Sequence, residues 1–429
     1  MPVSSEPHAN AVPGQEASAQ DSFTRTPSTW LAYLLVGYFM YVQASLGPVI
    51  PFLREDLSLG YGAAGLHFGA FALGTLFTGL LGDRPVRLLG RRTTLWGGAV
   101  GMAVGMGALA AANGAAASLS ASLLTGFCAS LVLMSTQATL SDLHGRWRAA
   151  AFSEANVVAG VAAICAPLLV GAFARTEFPG WRGALLFTAV LLIAIFALLG
   201  RAPVPGARPE PRDRLESEAG SRVLPPVFWG WCAVIAFCVS VEWSVAYWAA
   251  SFLQGEAGLA AADAATLMGA YFVALLLGRI IGSRLARSVR PGKLLVGAVF
   301  LAAAGFLPFW LAPVVFPASL PTTLASVAGL CVAGLGIGNL YPLGASLATG
   351  AAPRTVDLAT SRLALTVGSS LLIVPPSLGL IADRVGIGNA YAIVAALLLA
   401  AAVLAIAVDR SAQRSEKAGS KSPPREADS

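Results

Sequence analysis

Apolar residues in this chain gather into blocks of spanning length, separated by charged or Gly/Pro-rich turns. The blocks fall at about 30–53, 61–82, 94–112, 117–142, 150–173 and 183–200, then at about 227–254, 264–287, 292–312, 322–349, 359–382 and 389–409. A lipid core offers nothing to satisfy a backbone N–H or C=O, so a run of about 20 apolar residues must close its own hydrogen bonds as a helix. The pattern therefore predicts an all-α membrane protein with 12 transmembrane helices, arranged as six plus six. Residues 1–29 read as an N-terminal tail, 30–200 as a first six-helix bundle, 201–226 as a linker, 227–409 as a second bundle and 410–429 as a C-terminal tail. The linker, RAPVPGARPEPRDRLESEAGSRVLPP, is too rich in proline and charge to bury a core.

The two sets of six are copies of one another. At an offset of 200 residues, Gly69, Ala70, Leu76, Gly82, Arg84, Arg87, Leu95 and Gly97 fall on Gly269, Ala270, Leu276, Gly282, Arg284, Arg287, Leu295 and Gly297. The repeat centres on the basic stretch GLLGDRPVRLLGRR (Gly79 to Arg92), which returns degraded as RIIGSRLARSVRPG. Asp83 aligns with Ser283 and Gly79 with Arg279, so a carboxylate is present in the first half alone.

Composition agrees with the pattern: 56% of residues are hydrophobic, 12% are charged and the mean hydropathy is +0.72. The net charge of +6 at first sight invites a nucleic-acid reading. Its distribution removes that reading, because Lys and Arg edge the apolar blocks and form no continuous basic face. Taken by alternate loops, one side receives Arg54, Arg175, Arg182 and Arg384, Arg279 lies within a span, and the other Lys and Arg residues fall on the opposite side. Basic residues are retained in the cytoplasm. Both termini are thus expected there, in a multi-pass protein of the inner or plasma membrane with the lipid bilayer as partner. Five cysteines lie inside predicted spans, none with metal-ligand spacing, and no nucleophile and base set, metal cluster or phosphate loop is evident. An enzyme is not expected, nor is any cofactor or metal.

Twelve spans in two repeats, a polar central linker, and a basic loop between the second and third spans resemble the major facilitator superfamily. Within the loop Gly79, Gly82, Asp83, Arg84 and Arg87 match the family's pattern, while Gly90, Arg91 and Arg92 arrive late, after an inserted stretch. The resemblance implies a secondary transporter whose two bundles rock around a central site. It also implies a cytoplasmic gate in which Asp83 faces the start of the eleventh helix and the basic residues approach an acid at the end of the fourth, where Asp142 stands. Asp83 and Arg87 are spaced to pair across one turn if the second helix continues past the membrane surface.

Ionisable groups within a span are costly and so become functional candidates. Glu242 lies about fifteen residues into the seventh span, about 22 Å along a helix, and is the leading proton-coupling candidate. Glu154, near the cytoplasmic edge beside Arg146 and Arg148, reads more readily as a surface ion pair. His67 has a proton switch's chemistry, against which stands a packing role. Candidate substrate contacts are Gln43, Gln137, Asn156, Trp243, Tyr247, Asn339 and Tyr341, each of which interhelical hydrogen bonding explains nearly as well. Trp243 and Tyr247 share a helix face beside Glu242, a wall suited to a planar, apolar or sugar-like solute. Arg279 lies near enough to the cytoplasmic end of its span to reach the surface. Pro48, Pro51, Pro167, Pro342, Pro375 and Pro376 mark expected kinks. On the fifth span Gly160, Pro167 and Gly171 partly match the signature of drug-expelling family members.

The expectation is a monomeric, proton-coupled secondary transporter of a small organic solute, driven by the proton gradient, with a lean to efflux. Two alternatives stay open: a sugar or metabolite symporter working in the uptake direction, and a non-transporting membrane sensor on the same scaffold.

Overall fold

The computed structural model describes residues 23–81, 84–206, 224–353 and 355–419. In it, eleven helical stretches are long and apolar enough to cross a membrane, and one of them, Ala115–Ala174, carries two spans. A single 3-10 turn, Gly145–Trp147, divides that stretch into the fourth helix, Ala115–His144, and the fifth, Arg148–Ala174. The remaining spans of the first half are Pro27–Leu57, Tyr61–Leu81, Arg91–Ala110 and Arg182–Leu199. The second half contributes Pro226–Gly255, Ala261–Leu285, Pro291–Val315, a tenth span in two pieces (Leu320–Ile337 and Leu340–Gly350), Val356–Val385, and Ala392–Gly419 preceded by the short helix Ile387–Ala390.

The first helix begins where its sequence dictates. Thr26 caps it by accepting from the Thr29 amide, Thr29 returns a bond to the Thr26 amide, and Pro27 occupies the first turn, where a missing N–H costs nothing. It is buried along most of its length because it crosses the centre of the molecule, packed on the fourth, fifth and seventh helices. Glycine sets how closely helices cross. A methyl group at Gly74 or Gly126 would run into the backbone of the facing fourth or second helix respectively, and one at Gly47 would meet the Ala246 carbonyl of the seventh. Gly98, Gly101 and Gly105 on the third helix lie against Cys128 and Thr125 of the fourth, so this ridge packs within one half. The halves join chiefly through the second helix with the eleventh, the fifth with the eighth and the first with the seventh, with a lesser contact of the first with the eighth.

Three predicted boundaries move, each for a local reason. The second helix ends at Leu81, and the inserted stretch forms a separate helix, Arg84–Leu89, closed by Gly90 at φ +81°, so the third begins at Arg91. The tenth span is not continuous: it breaks at Gly338 and Asn339, while Pro342 sits in the first turn of the second piece, where it removes no helical bond. The twelfth helix runs well past the apolar block, to Gly419. Arg84 to Arg92, Arg146 and Arg284 gather at one end of the molecule, the basic end, and the opposite end is the far end.

Candidate functional site

The seventh helix carries the deepest charge. Glu242 is 7% exposed, and a carboxylate there requires a partner. Arg279 of the eighth helix supplies it, its Nη2 donating to Glu242 Oε1 at 3.1 Å. Arg279 therefore turns inward, away from the surface that its sequence position would let it reach. Its Nε donates to the Gly338 carbonyl at 3.2 Å, at the break in the tenth span. A cation at the end of the Leu320–Ile337 segment complements the carbonyls left over there. Asn339 holds the break from the other side, its amide donating to Gly278 O at 2.9 Å and Leu335 O at 3.1 Å. Tyr271 donates to the Glu242 backbone carbonyl at 3.4 Å. Tyr341, just past the break, is 39% exposed and lies within electrostatic reach of both members of the pair.

One turn further along the seventh helix stands an aromatic stack. Tyr247 lies between Trp243, at 5.1 Å between ring centroids, and Phe68 of the second helix, at 4.1 Å and nearly parallel. Phe68 also meets Trp248 edge to face at 5.4 Å. The Tyr247 hydroxyl is buried and has no hydrogen-bond partner among the described residues, although the Gln43 side chain of the first helix faces it. Gln43 is thus the polar group placed to satisfy this hydroxyl across the halves. Glu242, Trp243, Asn339 and Tyr341 are gathered within the second half, and Tyr247 extends the site to the first half through Phe68 and Gln43.

Other candidates are placed elsewhere. Glu154 accepts from Arg25 at 2.5 Å and from Tyr33 at 3.1 Å, at the basic end of the first half. His67 is 1% exposed, with Nε2 on Ser118 Oγ at 2.8 Å and Nδ1 against the Ala63 and Ala64 carbonyls. Gln137 and Asn156 are exposed, and the Asn156 amide bonds back to Phe152 O on its own helix. In the basic loop, Arg91 is the residue that reaches Asp142, at 2.5 Å. Arg84 and Arg87 lie on the short helix, both exposed, and Gly79 borders open space. Gly82 and Asp83 lie outside the described residues.

At the far end the halves are clasped. Asp383, closing the eleventh helix, accepts from the Gly62 amide in the first turn of the second helix at 2.8 Å. Gln254 donates to Glu55 at 2.5 Å, and Arg175 bridges to Asp263 at 2.5 Å and Thr266 at 3.1 Å. Asp383 is absent from the candidates that the sequence suggests, yet a signal for it was present. At an offset of 300, Gly379, Leu380, Asp383 and Arg384 repeat Gly79, Leu80, Asp83 and Arg84. The glycine-aspartate-arginine pattern thus occurs twice, on opposite ends of the molecule, and the described copy sets its carboxylate on a helix N-terminus.

Sequence relatives and solved structures agree with this architecture. An uncharacterized MFS-type transporter of Yersinia pestis is 26% identical over 415 residues, covering 92% of this chain and 98% of the relative. A chloramphenicol resistance protein of Pseudomonas aeruginosa is 29% identical over 308 residues, covering 62% of this chain and 70% of that protein. The crystal structure of a bacterial homolog of the human lysosomal transporter Spinster, in an inward-facing and occupied conformation, superposes with a TM-score of 0.71 at 16% identity, covering 91% of this chain and 98% of that one. The model of the Major Facilitator Superfamily matches residues 29–329. With twelve spanning helices in two halves and a break in the tenth beside a buried ion pair, the chain belongs to the Major Facilitator Superfamily, a family of membrane transporters.

Proposed function

We propose that the chain is a proton-coupled exporter of a small planar organic solute, seated in the cytoplasmic membrane with both termini inside. The observation that carries the reading is the ion pair of Glu242 and Arg279 beside the broken tenth helix. Two charges taken out of water gain little over a well-packed apolar pair. Their presence deep in a spanning bundle, beside a broken helix, is therefore better explained by use than by stability. A proton arriving on Glu242 removes its charge and frees Arg279, which remains cationic and held by Gly338 O. Losing the proton restores the pair. Two states of different charge arrangement are what coupling requires, because a proton can shift a conformational equilibrium only through its differential affinity for the two forms.

The aromatic stack supports a planar or apolar solute. Trp243 and Tyr247 offer ring faces, and the Tyr247 hydroxyl with Gln43 offers a polar handle. The likeness to a chloramphenicol resistance protein favours outward transport. The basic end then faces the cytoplasm, the clasp of Asp383, Gln254 and Arg175 closes the outer side, and solute enters from within.

Proteoliposomes test the reading. A solute first selected by its ability to raise the melting temperature of the purified protein should accumulate when the lumen is acid, as protons leave in exchange. Glu242→Gln should abolish gradient-driven accumulation while leaving solute exchange intact. Accumulation driven by an alkaline lumen would instead assign uptake by symport, and binding without movement would assign a sensor.

A further inference from the structure

Away from the junction of the halves, the seventh, eleventh and twelfth helices part to leave a cavity of about 550 Å³. Its walls include Trp229, Phe237, Leu365, Ile373 and Leu397, with Arg362 at the end nearest the basic side. Trp229, Leu365 and Ile373 are each half or more exposed, at 50%, 50% and 59%. Apolar side chains left open on a spanning helix are covered by lipid.

The polar lining asks for much less than its residue types indicate. Ser240 donates to Ala236 O, Thr366 to Arg362 O and Ser370 to Thr366 O, each bonding back four residues along its own helix. These hydroxyls are satisfied without a ligand. The Arg362 guanidinium is different: it is exposed and forms no ion pair with any described residue. The groove therefore has an unmet cation at its rim and, apart from the exposed Ser369 hydroxyl, an apolar, self-satisfied channel running from Arg362 to Ile373, about 16 Å by helical rise. A small polar anion would leave that channel empty, and a neutral hydrocarbon would leave the cation unmet.

We propose that this groove holds an anionic phospholipid of the leaflet at the basic end, its phosphate on Arg362 and an acyl chain along Phe237, Ile373 and Leu397. Attraction between one basic side chain and an anionic headgroup gives a preference of about fivefold over a zwitterionic lipid. The site is separate from the Glu242 and Arg279 pair and does not depend on the direction or coupling of transport.

Tryptophan quenching reads occupancy directly. The full-length protein is reconstituted in phosphatidylcholine vesicles containing a small fraction of either brominated phosphatidylglycerol or brominated phosphatidylcholine, and the Trp229 signal is taken as the difference from Trp229→Phe. Brominated phosphatidylglycerol should quench Trp229 about fivefold more effectively. Arg362→Gln should remove the preference, and Arg362→Lys should keep it. Equal quenching by the two lipids in the parent protein overturns the proposal, as does a preference that survives in Arg362→Gln. Loss of the preference on adding inorganic phosphate assigns the rim to a free anion and also overturns it. Should Arg362→Gln fail to fold, the parent comparison and Arg362→Lys decide, since Arg362→Lys losing the preference would contradict simple charge recognition.

Discussion

The Glu242 carboxylate depends on Arg279 for its charge at that depth, whereas Arg279 has a second acceptor in Gly338 O and is partly exposed. Removing one partner strands the other, so Arg279→Gln should destabilise the folded protein by about 3 kcal/mol. Glu242→Gln should cost less, because Arg279 keeps its bond to Gly338 O and is partly exposed. The double substitution should recover most of the loss, and thermal melting of the four proteins in detergent checks the cycle; additive losses would mean the two residues do not act as a pair. Glu242 stood out in the sequence because a carboxylate deep in an apolar run is costly, although a hydrogen-bonded acid fixing helix packing reads nearly as well. Its partner did not stand out. Arg279 is 37 residues away on another helix, and an apolar run gives the depth of a residue but not the direction in which its helix is turned. For the same reason Gln43 and Tyr247 could be named as candidates, while their juxtaposition across the halves needed the fold.

At the scale of the helix, the breaks matter most. The tenth span reads as one apolar block, and nothing in its composition locates the break at Gly338 and Asn339. The side chains that stabilise the break, Arg279 and Asn339, bond to carbonyls on neighbouring turns and helices. Asn339→Ala deletes two amide donations and should lower stability by about 1–2 kcal/mol, seen as a lower melting temperature; an unchanged melting temperature would show that the break holds itself. The clasp between the second and eleventh helices makes a second prediction. A carboxylate at a helix N-terminus stabilises it by about 1 kcal/mol, so Asp383→Asn should raise maleimide labelling of a cysteine placed at Tyr61 by about fivefold, and an unchanged rate would remove Asp383 from the gate. Apart from the C-terminal end of the twelfth helix, the extents of the spans were legible to within a few residues because burial in lipid enforces apolarity along them. The short helix Arg84–Leu89 was not, since its charge and its inserted length both suit a loop.

For the whole molecule, duplication is written in the sequence at an offset of 200, and it sets the arrangement of two halves packed chiefly through the second and eleventh, fifth and eighth, and first and seventh helices. What a single offset conceals is the second placement of the glycine-aspartate-arginine pattern at 300, on the opposite end. One copy lies at the basic end and the other at the far end, which is the arrangement expected of a molecule whose two gates open in alternation. The far end is clasped by Asp383, Gln254 and Arg175, and the proposed export takes the basic end as the side of entry. Spin labels placed across the halves at the far end should therefore report short distances in the absence of a proton gradient and lengthen when solute binds and the gate exchanges. Distances that stay fixed at both ends under all conditions would favour a sensor over a transporter. Coupling itself is read most directly from concentrative flux of a stabilising solute into acid-lumen proteoliposomes, compared between the parent protein and Glu242→Gln. Proton exchange through Glu242 predicts accumulation in the parent and none in Glu242→Gln, with solute exchange retained in both; accumulation that is indifferent to the pH gradient, or undiminished in Glu242→Gln, would contradict it.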